Sequence, residues 1–102
     1  MREDIQKWLE ALRSGDYQQC QQQLTDGRGY CCLGVYAVIN GIDIPVPNYG
    51  AHDDEIEANR SSYKEMGKLI PYAVFSKGIS MNDDGNSFAE IANMIEEYYT
   101  ND

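Results

Sequence analysis

The sequence holds 102 residues, 42% hydrophobic and 25% charged, the quantity and mix of one globular domain. That excludes a collagen-like or wholly disordered chain and leaves no room for a second large domain. Seventeen acidic residues against eight basic ones give a formal charge of −9, which repels nucleic-acid phosphate and anionic lipid and disfavours direct DNA binding and membrane contact. No run approaches the ~18 apolar residues of a membrane span. Met1-Arg2-Glu3-Asp4 leads into an amphipathic stretch rather than a continuous apolar signal core. Three cysteines, an odd count, suit a reducing compartment. The expected location is the cytoplasm.

The first element predicted is a helix over residues 3–14. Ile5, Trp8, Leu9 and Leu12 fall at i, i+3, i+4 and i+7, one apolar stripe, and Gly15 stands where a C-cap glycine belongs. Glu3 and Asp4 at its start and Arg13 at its end suit the helix dipole. Residues 16–29 read two ways. Cys20, Gln22 and Leu24 would share one face of a short strand, whereas glutamine also favours helix; the strand is preferred. Asp26-Gly27-Arg28-Gly29 is a turn. Residues 30–40 are the most apolar and carry no charge, long for a strand and right for one buried helix stopped by Gly41. Gly34 inside it permits close packing by a neighbouring element.

Pro45, Pro47 and Gly50 make residues 42–52 an extended loop. Residues 53–66 are either a helix with an acidic N-terminus or a loop, ended by Gly67. Ile79-Ser80-Met81 reads as a short strand, closed by the turn Asn82-Asp83-Asp84-Gly85. Ser87 with Glu90 three residues later is a capping box, and Phe88, Ile91, Ala92, Ile95 and Tyr98 or Tyr99 give the last helix its apolar face. The expected fold is therefore α+β: a single small domain over 1–102, mainly helical, with three helices and two or three short strands.

Several constellations could carry chemistry. Cys31 or Cys32, near a helix start, could be a thiol nucleophile with His52, the only histidine, as base. Their apolar surroundings predict burial and inertness instead. Cys20, Cys31, Cys32 and His52 number four soft ligands, but adjacent cysteines seldom reach one zinc ion. Aligning Asn82-Asp83-Asp84-Gly85 with a calcium loop puts Ser80 and Ile91 where acids belong, so no metal is expected. No cofactor and no catalytic residue is assigned. Gly27, Arg28 and Gly29 ahead of a helix could form an anion or nucleotide cradle, although no Walker lysine and no G-x-G-x-x-G follow and a plain turn is the simpler reading. Eight tyrosines suit an interface as well as a core edge. The acidic run Asp53, Asp54, Glu55 and Glu57, with Tyr49 beside it, is either a solvated face or a surface that imitates phosphate and covers a basic groove on a partner.

Trp8-x-x-Ala11-Leu12-Arg13-Ser14-Gly15-x-Tyr17-x-Gln19 and Tyr30-Cys31-Cys32-Leu33-Gly34-Val35 resemble segments of small proteins common in tailed-phage genomes and prophages. Met81-Asn82-Asp83-Asp84-Gly85-x-Ser87-Phe88-Ala89-Glu90-Ile91-Ala92 is similar to the closing segment of the same group. The resemblance implies a phage-encoded accessory protein made inside a bacterium, of the kind that binds and disables a host or anti-phage defence factor. With the charge and the tyrosines, the leading expectation is a non-catalytic inhibitor acting by occlusion through Tyr49, Asp53, Asp54, Glu55 and Glu57. The alternative is a sponge for a small nucleotide signal held at Gly27, Arg28 and Gly29, in a homo-oligomer because one small domain has little room for a deep pocket. A cysteine-dependent enzyme ranks third.

Overall fold

The computed structural model describes residues 2–21, 24–44 and 61–100. Helix α1 spans Glu3–Ser14 and buries the predicted stripe, Ile5, Trp8, Leu9 and Leu12. Gly15, at φ 81°, ends it in the left-handed conformation that glycine adopts without steric cost. Helix α2 spans Cys32–Ile39 and buries its residues from Cys32 to Ala37. The described part of α3 covers residues 61–67, in which Ser62 and Met66 are buried. Helix α4 spans Tyr72–Asp83 and α5 Phe88–Thr100.

Among the described residues the fold is thus all-helical, with five helices and no strand, and the α+β expectation is corrected. The segment expected as a strand at 16–29 makes only two isolated bridges, Gln19 with Tyr30 and Thr25 with Tyr30. The reason is local. Tyr30 donates its N–H to the Gln18 carbonyl at 2.8 Å and accepts from the Cys20 N–H at 2.9 Å, which uses both its backbone groups. The next residue, Cys31, already bonds the Leu24 carbonyl and caps α2, so no ladder can extend. The second expected strand, Ile79-Ser80-Met81, is instead part of α4. Read over the whole of α4, the buried positions are Val74, Gly78 and Asn82, spaced by four as a helix requires. Gly78 is no break. It lets the Cys32 thiol approach, and that thiol donates to the Gly78 carbonyl at 3.4 Å.

The capping box on α5 forms as read. The Glu90 N–H donates to Ser87 Oγ and the Ser87 N–H to Glu90 Oε1, each at 3.2 Å. Gly34 also meets its expectation: a Cβ there would run into the Leu24 carbonyl oxygen.

Two contacts fix the direction of α2 against α1. Trp8 Nε1 donates to the Cys32 carbonyl at 2.8 Å, and the Tyr36 hydroxyl donates to Asp4 Oδ2 at 2.7 Å, so the two helices run antiparallel. Arg13 near the end of α1 reaches Asn93 and Glu96, while Arg2 before its start lies near Tyr99, which sets α5 antiparallel to α1, and the short 84–87 turn sets α4 antiparallel to α5. The four helices close a ring in which α1 packs on α2 and α5, and α4 packs on the same two. Trp8, Leu33, Tyr36, Ile91 and Ile95 fill its centre. Helix α3 lies against α4 through an edge-on Tyr63–Phe75 contact.

The up-and-down arrangement gives the molecule two distinct ends. The loop end carries residues 15–21 and 24–31 and the 84–87 turn. The opposite end gathers the start of α1, the end of α2, the start of α4 and the end of α5. No helix among the described residues is long and apolar enough to cross a membrane.

Candidate functional site

The loop end is organised by two side chains. Asp26 Oδ1 accepts from the N–H groups of Arg28 at 2.9 Å and Gly29 at 2.8 Å. Thr25 Oγ1 accepts from the Gly27 N–H at 3.1 Å and donates to the Gly29 carbonyl at 2.7 Å. Gly27 takes φ 89°, which the turn needs. The cradle read at Gly27, Arg28 and Gly29 therefore has its three N–H groups directed at oxygens of its own loop. Asp26 is the internal anion, and the Gly29 and Arg28 N–H bonds hold its carboxyl below the ordinary range.

Asn82, at the end of α4, ties this loop to the bundle. Fully buried, it accepts at Oδ1 from Gln19 Nε2 at 2.9 Å and from the Cys32 N–H at 3.2 Å. Its Nδ2 donates to the Cys20 carbonyl at 2.8 Å. Gln19 Nε2 continues to the Asn86 carbonyl at 2.7 Å. One buried amide thus joins the 16–31 loop, the start of α2 and the α4–α5 turn.

The three cysteines are buried. Cys31 is the N-cap of α2, and its sulfur accepts from the Gly34 N–H at 3.4 Å. Burial pushes the Cys31 thiol up to about 11, raises Cys32 well above the usual range and also raises Cys20. The helix start does lower Cys31 through the Gly34 and Leu33 N–H groups, but desolvation outweighs it. At neutral pH all three are thiols, not nucleophilic thiolates. Their candidate base, His52, lies outside the described residues, as do Tyr49, Asp53, Asp54, Glu55 and Glu57. Among the described residues no group of three or more His, Cys, Asp or Glu is placed to hold a metal ion.

At the opposite end stands a network that the sequence reading missed. Arg2 forks onto Asp4 at 3.1 and 2.9 Å and also donates to the Leu69 carbonyl. Asp4 in turn accepts from the buried Tyr36 hydroxyl. Burial alone would raise the Asp4 carboxyl, but Tyr36 and Arg2 together hold it below its ordinary value. Desolvation and the Asp4 carboxylate both raise Tyr36. Asp4 and Tyr36 are separated by 32 positions, so no local pattern could have paired them.

The tyrosines divide between core and surface. Tyr36 is fully buried against Trp8, while Tyr17 and Tyr30 pack edge-on at the loop end. Tyr72 is 82% exposed. Charge divides as well. Asp16, Asp26, Asp83, Asp84 and Glu90 are exposed at the loop end, where Arg28 and, in the last turn of α1, Arg13 are the cations among the described residues. At or beside the other end, counting the described residues alone, Arg2, Lys7, Lys64 and Lys68 stand with Glu3, Asp4, Asp43, Glu65 and Glu97. Open hollows mark the surface of the described residues. One of about 570 Å³ is lined by Ile42, Asp43, Ser62 and Glu65, and one of about 650 Å³ by Gln6, Glu10, Arg13 and Glu96.

By fold this is a small antiparallel helical domain with an acid-rich loop end. The chain belongs to the family described as a domain of unknown function, DUF8296, whose match covers residues 1–74. That stretch takes in α1, the 15–31 loop, α2 and α3, and stops in the first turn of α4. No curated protein and no solved structure matches the chain.

Proposed function

We propose that this chain is a non-catalytic binding protein that acts by occlusion, laying acidic surface over a basic surface of a protein partner. The observation that carries the reading is the uneven charge: five exposed carboxylates against two arginines at the loop end among the described residues, on a chain of net charge −9. Such a field steers a cationic surface into contact and repels phosphate. The buried, protonated thiols and the self-bonded 26–29 turn support it, because the groups that suggested other chemistry are engaged within the fold. The resemblance to tailed-phage accessory proteins supplies the setting. The partner is a host or anti-phage defence protein, met in the cytoplasm of an infected bacterium.

The test compares phage plating on hosts carrying defence systems, with the chain expressed in wild-type or variant form. One variant reverses charge at the loop end (Asp16→Lys with Asp84→Lys), and a second carries alanine at Tyr49, Asp53, Asp54 and Glu55. Loss of protection in either, at unchanged helicity, is the expected result and says which acidic surface makes the contact. Full protection by both variants together would sink the occlusion reading.

A further inference from the structure

Two of the three cysteines flank the bridge between Gln19 and Tyr30. The bridge is parallel: the Tyr30 N–H donates to the Gln18 carbonyl at 2.8 Å, and the Cys20 N–H to the Tyr30 carbonyl at 2.9 Å. Cys20 and Cys31 each follow a bridged residue by one position. Their side chains therefore leave the bridge on one face, opposite Gln19 and Tyr30. Burial agrees, since both cysteines are buried whereas Gln19 and Tyr30 are half-buried. Bridged chains lie about 5 Å apart, which puts the two Cα atoms inside the roughly 4.4–6.8 Å that a disulfide spans. Gly29 lets the chains come this close, because a Cβ there would run into the Gln18 carbonyl.

We propose that Cys20 and Cys31 are a reversible redox pair, whose disulfide ties the 18–20 segment to the start of α2 and fixes the loop that carries Asp26. The third cysteine is set apart. Cys32 directs its sulfur to the Gly78 carbonyl on α4, and a bond between the adjacent Cys31 and Cys32 would strain the backbone. In the reduced fold the Cys20 sulfur accepts from the Asp26 N–H and the Cys31 sulfur from the Gly34 N–H. Bond formation takes both sulfurs off these donors and leaves the buried Gly34 N–H without its cap. That cost makes the disulfide readily reduced, the property that separates a switch from a permanent staple.

The oxidant is a small disulfide of the glutathione type. Cys20, next to the exposed Gln21, is the outer thiol of the two. Its thiolate attacks one glutathione sulfur and expels the other as a thiolate. The Cys31 thiolate then attacks the Cys20 sulfur and expels the second glutathione. Both protein protons end on glutathione thiols, so one disulfide forms and one breaks. Because burial keeps both thiols protonated, exchange is slow at neutral pH and quickens as pH rises.

The test incubates the full chain with oxidised glutathione at about pH 8.5, once folded and once in about 8 M urea. Alkylation and peptide mass spectrometry then map the disulfides. The folded chain should yield Cys20–Cys31 over Cys20–Cys32 by at least ~10-fold. In urea the two loops differ by a single residue and should close about equally. Cys32→Ser should keep the bond, and dithiothreitol should reverse it. Hydrogen exchange at Gly34 should quicken in the oxidised protein, since its acceptor is lost. Three thiols left reduced, or capped only by glutathione, overturn the proposal. So does Cys20–Cys32 or Cys31–Cys32 as the main folded product, or one product ratio in both conditions. Unchanged exchange at Gly34 overturns the switch.

Discussion

Replacing Asn82 by alanine should be among the most damaging single changes away from the aliphatic core. The buried amide makes one bond to the Cys32 N–H, one to the Cys20 carbonyl and one to Gln19. Gln19 retains the Asn86 carbonyl, so its loss is small. Cys32 and Cys20 lose bonds at a place water does not reach, at about 1–3 kcal/mol each. Alanine returns about 0.6 kcal/mol through its better helix propensity. The net loss is about 3 kcal/mol, which for a domain of this size lowers Tm by roughly 12–24 °C. Urea unfolding followed by circular dichroism measures it, with the m-value as a control on the denatured state. A loss below about 1 kcal/mol at unchanged m would mean that the amide does not bind the loop to the bundle.

Gly34→Ala sets two effects against each other: helix propensity favours alanine by about 1 kcal/mol, while overpacking against Leu24 costs about 1–3 kcal/mol and strains the Cys31–Leu24 bond. Net destabilisation is expected in urea melts, and a stabilised variant would contradict the close approach. At high pH stability should fall, because Cys31 stays protonated in the fold up to about 11 and Tyr63 up to about 12, whereas unfolded thiols ionise near ~8.5 and tyrosines near ~10. Both folded values are raised, so their contribution is complete below the unfolded pKa and is lost as pH rises through the folded one; urea midpoints from about pH 8 to 12 record it. Tyr36→Phe should cost about 1 kcal/mol after solvent screening and should flatten the acid limb below pH ~4. Asp4 is depressed in the fold, so its contribution is present above the unfolded value of ~3.9 and lost as pH falls through the folded one. An acid limb identical in wild type and variant would remove Asp4 as its source.

The elements legible in the sequence are those whose signals are local. The stripe and Gly15 place α1, and the Ser87–Glu90 box places α5, because both signals lie within a few residues of the boundary they mark. Helix α2 is legible from its uncharged apolar run. Helix α4 is not, because its buried face is made of Val74, Gly78 and Asn82, and a glycine and an asparagine give no apolar period. The 16–29 segment fails differently. Its shape depends on Tyr30, Asn82 and Asn86, the last two more than 60 residues away, and no window along the chain contains them. The inertness of the cysteines could be read from their apolar neighbours, since desolvation is what raises their pKa values. The Arg2–Asp4–Tyr36 network could not, because Asp4 also satisfies the simpler role of an acid in a first helical turn.

The 26–29 turn shows why a donor-rich loop is ambiguous from sequence alone. Asp-Gly-Arg-Gly before a helix can close on an outside anion or on its own aspartate, and the same N–H groups serve either. Here the Arg28 and Gly29 N–H groups point at Asp26 Oδ1, so an external phosphate would have to displace a tethered carboxylate. Tethering favours the carboxylate through its high local concentration. Asp26→Ala removes that competitor. The variant should melt at a lower temperature than wild type in chloride, and phosphate at matched ionic strength should raise its Tm selectively. Wild type should show no such phosphate effect. Its acid limb should be steeper than the variant's, since Asp26 is depressed in the fold and its contribution is lost as pH falls through that lowered value. If instead wild type is stabilised by phosphate or by a nucleotide, and Arg28→Ala abolishes the effect, then Asp26 yields the turn to an outside anion. The self-closed reading of Gly27, Arg28 and Gly29 would then be wrong.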